Sequence, residues 1–169
     1  MTGYITVIVA DDHPVYRTGV VRPLKESGTV RVVAEASDGR AALAAIREHK
    51  PAVALVDYKM PELDGLDVVN AVARDDLPTH VILLSAFDDA PLVYKALSAG
   101  ASGYLTKESD SADIPHRVTF AEVTCLCCQF PCTHPHAAGS TAMRQARWAC
   151  LANSSASCGL SPIQKTYAA

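Results

Sequence analysis

The chain has 169 residues, 49% hydrophobic and 20% charged, with a formal net charge of -3. That is enough apolar material for one good core with length to spare, so one compact domain plus an appendage is expected. Beyond residue 113 lie 4 of the 15 Lys/Arg but only 1 of the 18 Asp/Glu; the acidic first part argues against nucleic acid as its partner, and the later positive excess is too diffuse to predict one. The start, MTGYITVIVADDH, has no basic leader, and no run approaches the roughly 18 apolar residues of a membrane span. A soluble, cytoplasmic chain with no membrane partner is expected. All 6 cysteines follow residue 124, so nothing before them depends on an oxidising compartment.

The elements alternate in chain order. A β-branched run at 4–10 predicts a strand, followed by Val15, Tyr16, Val20 and Leu24 at helical spacing. Pro23 conflicts with this helix and predicts a kink or a shortened last turn. A second strand at 31–36 leads through Asp38-Gly39 into a helix carrying Ala42, Leu43 and Ile46, closed by Lys50-Pro51. A third strand at 52–56 meets a loop containing Pro61 and Asp64-Gly65, then a helix with Leu66, Val69, Val72 and Ala73. A fourth strand at 81–84, a helix with Val93, Ala96 and Leu97 ending near Gly100, and a weaker strand at 103–106 complete the pattern. Strand, helix, strand in repetition means parallel strands joined by crossover helices, and the first and third strands are apolar on both faces, as central strands would be.

In such sheets ligands bind beyond the carboxyl ends of the strands. Those ends are polar here: Asp11 and Asp12 after the first strand, Asp57 after the third, Ser85 after the fourth and Lys107 after the fifth. With the first and third strands adjacent, about 4.8 Å apart, Asp11, Asp12 and Asp57 share one pocket. Three carboxylates so close would repel one another unless a cation joined them, and a hard divalent ion such as Mg²⁺ suits oxygen ligands.

Asp11-Asp12, Asp57, Ser85 and Lys107, in this order and at these strand ends, resemble the acid pocket of a bacterial response-regulator receiver domain. Met60-Pro61, Gly65, Ala99-Gly100-Ala101 and Gly103-Tyr104-Leu105 support the resemblance, and ADDHPVYRTG from Ala10 to Gly19 is similar to the subgroup that usually carries a C-terminal LuxR-type helix-turn-helix. The resemblance implies a flavodoxin-like, doubly wound parallel sheet of order 2-1-3-4-5 over residues 1–114. It implies phosphoryl acceptance at Asp57 from a sensor histidine kinase. Asp12, Asp57 and the backbone carbonyl of Lys59 would ligate Mg²⁺, with Asp11 helping through water. Lys107 would neutralise phosphoryl charge, and Ser85 and Tyr104 would act as the switch. Such a protein is not classed as an enzyme; its output is transcription control, with a homodimer formed on phosphorylation within what the resemblance implies.

Rival readings of the same residues are plainer. Asp12 before His13-Pro14 could cap a helix, His13 could lie beside the pocket without a catalytic role, and Asp75-Asp76 and Asp88-Asp89 could be solvated or capping. A degenerate receiver serving only as an interaction module is one alternative. An Asp-nucleophile, Mg²⁺-dependent phosphatase is another, but it needs a second acid two residues after the nucleophile, where Lys59 stands.

After Ile114 the texture changes. Pro115 interrupts, a final helix over 114–125 is expected at most, and residues 115–169 form a Cys-rich tail with no sustained period, disordered or the product of a shifted reading frame. The tail offers no helix-turn-helix, so DNA binding by this chain is not expected. Cys125-x2-Cys128-x3-Cys132-x-His134 could ligate zinc, although its spacing is cramped.

Overall fold

A computed structural model describes residues 4–87, 90–108 and 111–123. The expected Cys-rich tail from residue 124 onward, with the proposed zinc ligands, and Asp88-Asp89 lie outside the described residues; the part of that tail over 115–123 belongs to a helix. The strands are β1 (Ile5–Ala10), β2 (Val30–Ala36), β3 (Val53–Asp57), β4 (His80–Ser85) and β5 (Gly103–Thr106). They form one parallel sheet in the order β2-β1-β3-β4-β5, the flavodoxin-like arrangement. The crossover helices are α1 (Pro14–Glu26), α2 (Gly39–His49), α3 (Gly65–Arg74) and α4 (Ala90–Ala99); a 3-10 turn, Ser111–Asp113, then leads into α5 (Ile114–Val123).

Period-two alternation along the strands sorts the core into two layers. Val7, Val9, Val53, Leu55, Ile82 and Leu84 face the side covered by α1 and α5, through Val20, Leu24, Ile114 and Val118. Ile8, Ala10, Ala54, Val56, Val81 and Leu83 face α2, α3 and α4, meeting Ile46, Val69, Val72 and Ala96. Both faces of β1 and β3 are therefore dry, as their continuous apolar runs require.

Local chemistry sets the helix ends. The Asp38 and Asp64 side chains accept the Ala41 and Asp67 amides at 2.7 and 2.8 Å, capping α2 and α3. Lys50 ends α2 with a φ of 44°, a left-handed position more often filled by glycine, and its amide donates to the Ile46 carbonyl at 2.9 Å. Pro51 then disfavours any return to helix at Lys50.

Several expectations change. Val15 is 86% exposed, because the buried stripe of α1 runs through Tyr16, Val20 and Leu24 at intervals of four, and Val15 lies one residue off it. Leu97 is turned outward for the same reason, beside the inward-facing Ala96. Pro23 neither shortens nor ends α1, which continues to Glu26, with the Ser27 amide donating to the Pro23 carbonyl at 3.0 Å. Pro115 does not interrupt α5. It occupies the second helical position, where no intrahelical partner for its missing N–H is needed.

Candidate functional site

Register builds the pocket before any side chain is placed. Ala10 pairs with Val56, so the next residues, Asp11 and Asp57, emerge side by side at the carboxyl rim. Asp57 in turn pairs with Leu84, and Ser85 with Thr106, which brings Ser85 and Lys107 to the same rim. The Lys107 amide donates to the Ser85 carbonyl at 2.7 Å, fixing the root of the lysine.

The loop after Asp57 is held by close backbone approaches. The Tyr58 amide donates to the Leu84 carbonyl at 2.7 Å, and the Gly65 amide to the Tyr58 carbonyl at 2.9 Å. Gly65 has no room for a Cβ, which would collide with the Asp57 carbonyl and the Leu83 side chain. At Gly39 the obstruction is the Leu63 carbonyl, so the opening of α2 braces the same loop.

Asp11 is completely buried and Asp57 is 4% exposed. The Lys107 ammonium donates to Asp57 Oδ2 at 2.8 Å and lies 2.7 Å from Asp11 Oδ2. Asp11 Oδ1 accepts the His13 amide at 2.8 Å, whereas Oδ2 accepts no aligned hydrogen bond among the described residues and has only the lysine charge facing it. Asp57 Oδ1 accepts weakly from the Lys59 amide at 3.4 Å. Burial pushes the Asp57 carboxyl above its ordinary range, and the charge on Asp11 adds to this, outweighing the hydrogen bond from Lys107. For Lys107, burial alone would lower the ammonium's pKa, but the facing carboxylates of Asp11 and Asp57 prevail and raise it.

Asp12 is not a helix cap. The residue flanking α1 is His13, with no side-chain capping bond, and the Asp12 carboxylate instead lies 2.7 Å from His13 Nδ1. Ligand atoms of Asp11, Asp12, His13 and Asp57 all lie within 4.8 Å of one another. An oxygen-rich cluster with a buried, under-bonded carboxylate oxygen fits a hard divalent cation such as Mg²⁺. His13, expected beside the pocket, instead brings a ring nitrogen into this group at its solvent edge, its side chain 71% exposed.

Ser85 is buried, and its Oγ accepts the Phe87 amide at 3.1 Å. Tyr104 Oη donates to the Phe87 carbonyl at 2.6 Å, so one residue connects both expected switch positions. The Lys59 ammonium sits over the Phe87 ring, 4.8 Å from its centroid, and supplies no second acid after Asp57.

Three contributors escape a reading by strand ends alone. Arg17 Nη1 donates to the Asp11 backbone carbonyl at 2.6 Å, Tyr16 lays its ring against Lys107, and Phe87 ties Ser85 to Tyr104. The available signal for the first two is that α1 starts at Pro14, which puts positions 16 and 17 in its first turn, at the rim.

This fold and pocket define a receiver module. The family model for the response regulator receiver domain matches residues 7–119, and the chain belongs to that family. It is 53% identical over 110 residues to the probable transcriptional regulatory protein NarL of Mycobacterium tuberculosis (strain ATCC 25618 / H37Rv), covering 65% of this chain and 51% of that protein. To the nitrate/nitrite response regulator protein NarP of Escherichia coli (strain K12) it is 39% identical over 104 residues, covering 62% and 48%. The chain thus spans about half the length of these curated relatives. Among solved structures, the signal receiver domain of the putative response regulator NarL from Mycobacterium tuberculosis superposes with a TM-score of 0.69 at 50% identity, covering 70% of this chain and 96% of that one. The relatives are named as regulators. No helix among the described residues is long and apolar enough to cross a membrane.

Proposed function

We propose that Asp57 accepts a phosphoryl group from a phosphohistidine on a sensor histidine kinase, and that the resulting acyl phosphate switches a signalling surface used in transcription control. The observation that carries this reading is one ammonium, Lys107 Nζ, held between the buried carboxylates of Asp11 and Asp57 at 2.7 and 2.8 Å. Mg²⁺ held by Asp12, Asp57 and the Lys59 carbonyl, with Asp11 alongside, would supply further positive charge against the phosphoryl oxygens.

A carboxylate oxygen of Asp57 attacks phosphorus. The phosphorus–nitrogen bond of the donor breaks, its electron pair stays on the imidazole nitrogen, and that nitrogen takes a proton from water. Lys107 is already hydrogen-bonded to the attacking group, so it can follow the charge onto a phosphoryl oxygen with little rearrangement. Ser85 exchanges its bond from the Phe87 amide for one to the phosphoryl group. Because the Phe87 carbonyl holds Tyr104, moving that segment releases the tyrosine and shifts the population between two packings around β4 and β5.

The test is incubation with acetyl phosphate and Mg²⁺ followed by intact mass, for the wild type and Asp57→Asn. A single phosphoryl adduct confined to the wild type is expected. An adduct undiminished by Asp57→Asn overturns the assignment.

A further inference from the structure

The Lys107 ammonium has a third neighbour besides its two carboxylates. It lies over the face of Tyr16, 4.6 Å from the ring centroid. Tyr16 comes from the first turn of α1, is half-buried, and packs against the core layer formed with Val20 and Leu24, so its ring is anchored from behind. The lysine side chain is only 15% exposed, which leaves little water to compete with the ring for the charge.

These neighbours differ in what phosphoryl transfer does to them. Asp57 loses its carboxylate charge as it becomes an acyl phosphate, so its bond to Lys107 weakens during the reaction. The ring does not change. A π-face attracts an ammonium through its quadrupole and tolerates lateral displacement, unlike a hydrogen-bond acceptor with fixed lone pairs. A four-carbon side chain with four rotatable bonds otherwise has many places to go.

Resting on the phosphoryl-acceptor reading above, we propose that Tyr16 is a positioning residue for that reaction: its ring face holds the Lys107 ammonium at the rim while the lysine moves from Asp57 Oδ2 to a phosphoryl oxygen. The aromatic face is the operative feature, and the phenolic hydroxyl is dispensable. This separates the proposal from a role in general packing, which leucine would fill nearly as well.

The experiment measures phosphorylation rates of the full chain with acetyl phosphate and Mg²⁺ for the wild type, Tyr16→Phe and Tyr16→Leu. It adds Mg²⁺ affinity by calorimetry and the Lys107 Hε resonances by NMR. Tyr16→Leu should slow phosphorylation about fivefold, as loss of a partly desolvated cation–π contact implies, while Tyr16→Phe stays within about twofold of wild type. The Hε resonances, moved upfield by the ring current, should return toward ordinary lysine positions only in Tyr16→Leu, and Mg²⁺ affinity should stay unchanged in both. In a Lys107→Ala background, Tyr16→Leu should cost nothing further.

Equal rates for wild type and Tyr16→Leu overturn the proposal, as does an equal loss in Phe and Leu variants. A Tyr16→Leu loss that comes with weakened Mg²⁺ binding, or persists undiminished without Lys107, assigns the residue to structure instead. If the wild type forms no Asp57 adduct at all, the phosphoryl-acceptor reading fails, and the Tyr16 proposal fails with it; an adduct forming normally alongside flat Tyr16 variants rejects the Tyr16 role alone.

Discussion

The middle of the sheet and the floor of its carboxyl rim, formed by Asp11, Asp57 and Ser85, are both buried and chemically opposite. Leu55 and Val9 are fully buried among other apolar side chains, while Asp11 and Ser85, at 0% and 1% exposure, are just as inaccessible and polar. Burial therefore does not distinguish the two regions. What does is satisfaction: the interior gains from every contact, whereas the rim keeps one carboxylate oxygen under-bonded and the Asp57 carboxyl above its ordinary pKa range through its own desolvation. The rim gives up stability to hold charge where incoming phosphate and a cation can use it.

The widest break in this comparison is Asp57→Asn. Phosphorylation by acetyl phosphate should be abolished, yet the metal-free variant should melt no lower than the wild type, and higher at neutral pH. The sign follows from the raised folded pKa: folding favours the protonated carboxyl, so that contribution is fully present below the unfolded value of about 4 and is lost as pH rises through the folded value. The advantage of Asn should therefore shrink on acidification. A variant less stable than wild type at neutral pH without Mg²⁺ would show that the rim is well satisfied as it stands.

Leu55→Ala tests the other region. Leu55 is fully buried on β3, two positions before Asp57, and its truncation should cost about 2–5 kcal/mol in denaturant unfolding through lost transfer energy and a cavity. Phosphorylation of the molecules that remain folded should persist. A loss under 1 kcal/mol, a bound set by what a tightly packed core can absorb, would mean that the interior is looser than its burial indicates.

Gly65→Ala acts at the seam. Its Cβ would push against the Asp57 carbonyl, costing roughly 1–3 kcal/mol by overpacking and displacing the loop that carries Lys59. Mg²⁺ affinity by calorimetry should fall with stability, in contrast to Leu55→Ala, where only stability changes. Unchanged affinity would separate that loop from the cation site.

The contrast between regions also explains what could be read from the residues alone. The parallel alternation and the meeting of Asp11, Asp57, Ser85 and Lys107 follow from apolar runs that end on polar residues, because parallel register carries every strand end to one rim, while the strand order itself came with the family resemblance. Val15 and Leu97 face outward because successive helix residues point about 100° apart, so the neighbour of a stripe residue is buried on one side of it, as Val21 is beside Val20, and exposed on the other. Pro115 looks like an interruption, but with the helix starting at Ile114 it falls in the first turn, where its missing N–H costs nothing. Tyr16, Arg17 and Phe87 make pocket contacts that are illegible in the residues for a different reason. They touch the pocket from a helix turn and a loop, through a ring face and backbone groups, and no spacing rule encodes such approaches.

The smallest expected effect lies away from the rim and runs the opposite way with pH. Asp75, just past α3, accepts from Arg47 Nε of α2 at 3.0 Å and from Arg74 Nε at 3.0 Å. The hydrogen bonds from Arg47 first, then Arg74, hold its carboxyl below the ordinary range. A lowered folded pKa gives stability that is present above the unfolded value and disappears as pH falls through the folded one. Asp75→Asn should thus lower the thermal midpoint slightly at neutral pH, by less as salt screens an exposed pair, and by nothing once acid has protonated the wild type. Plotted against pH as variant minus wild type, Asp57→Asn should start positive and Asp75→Asn negative, both converging toward zero in acid. Curves of the same sign would contradict the division between a carboxylate held for chemistry and one held by its arginines.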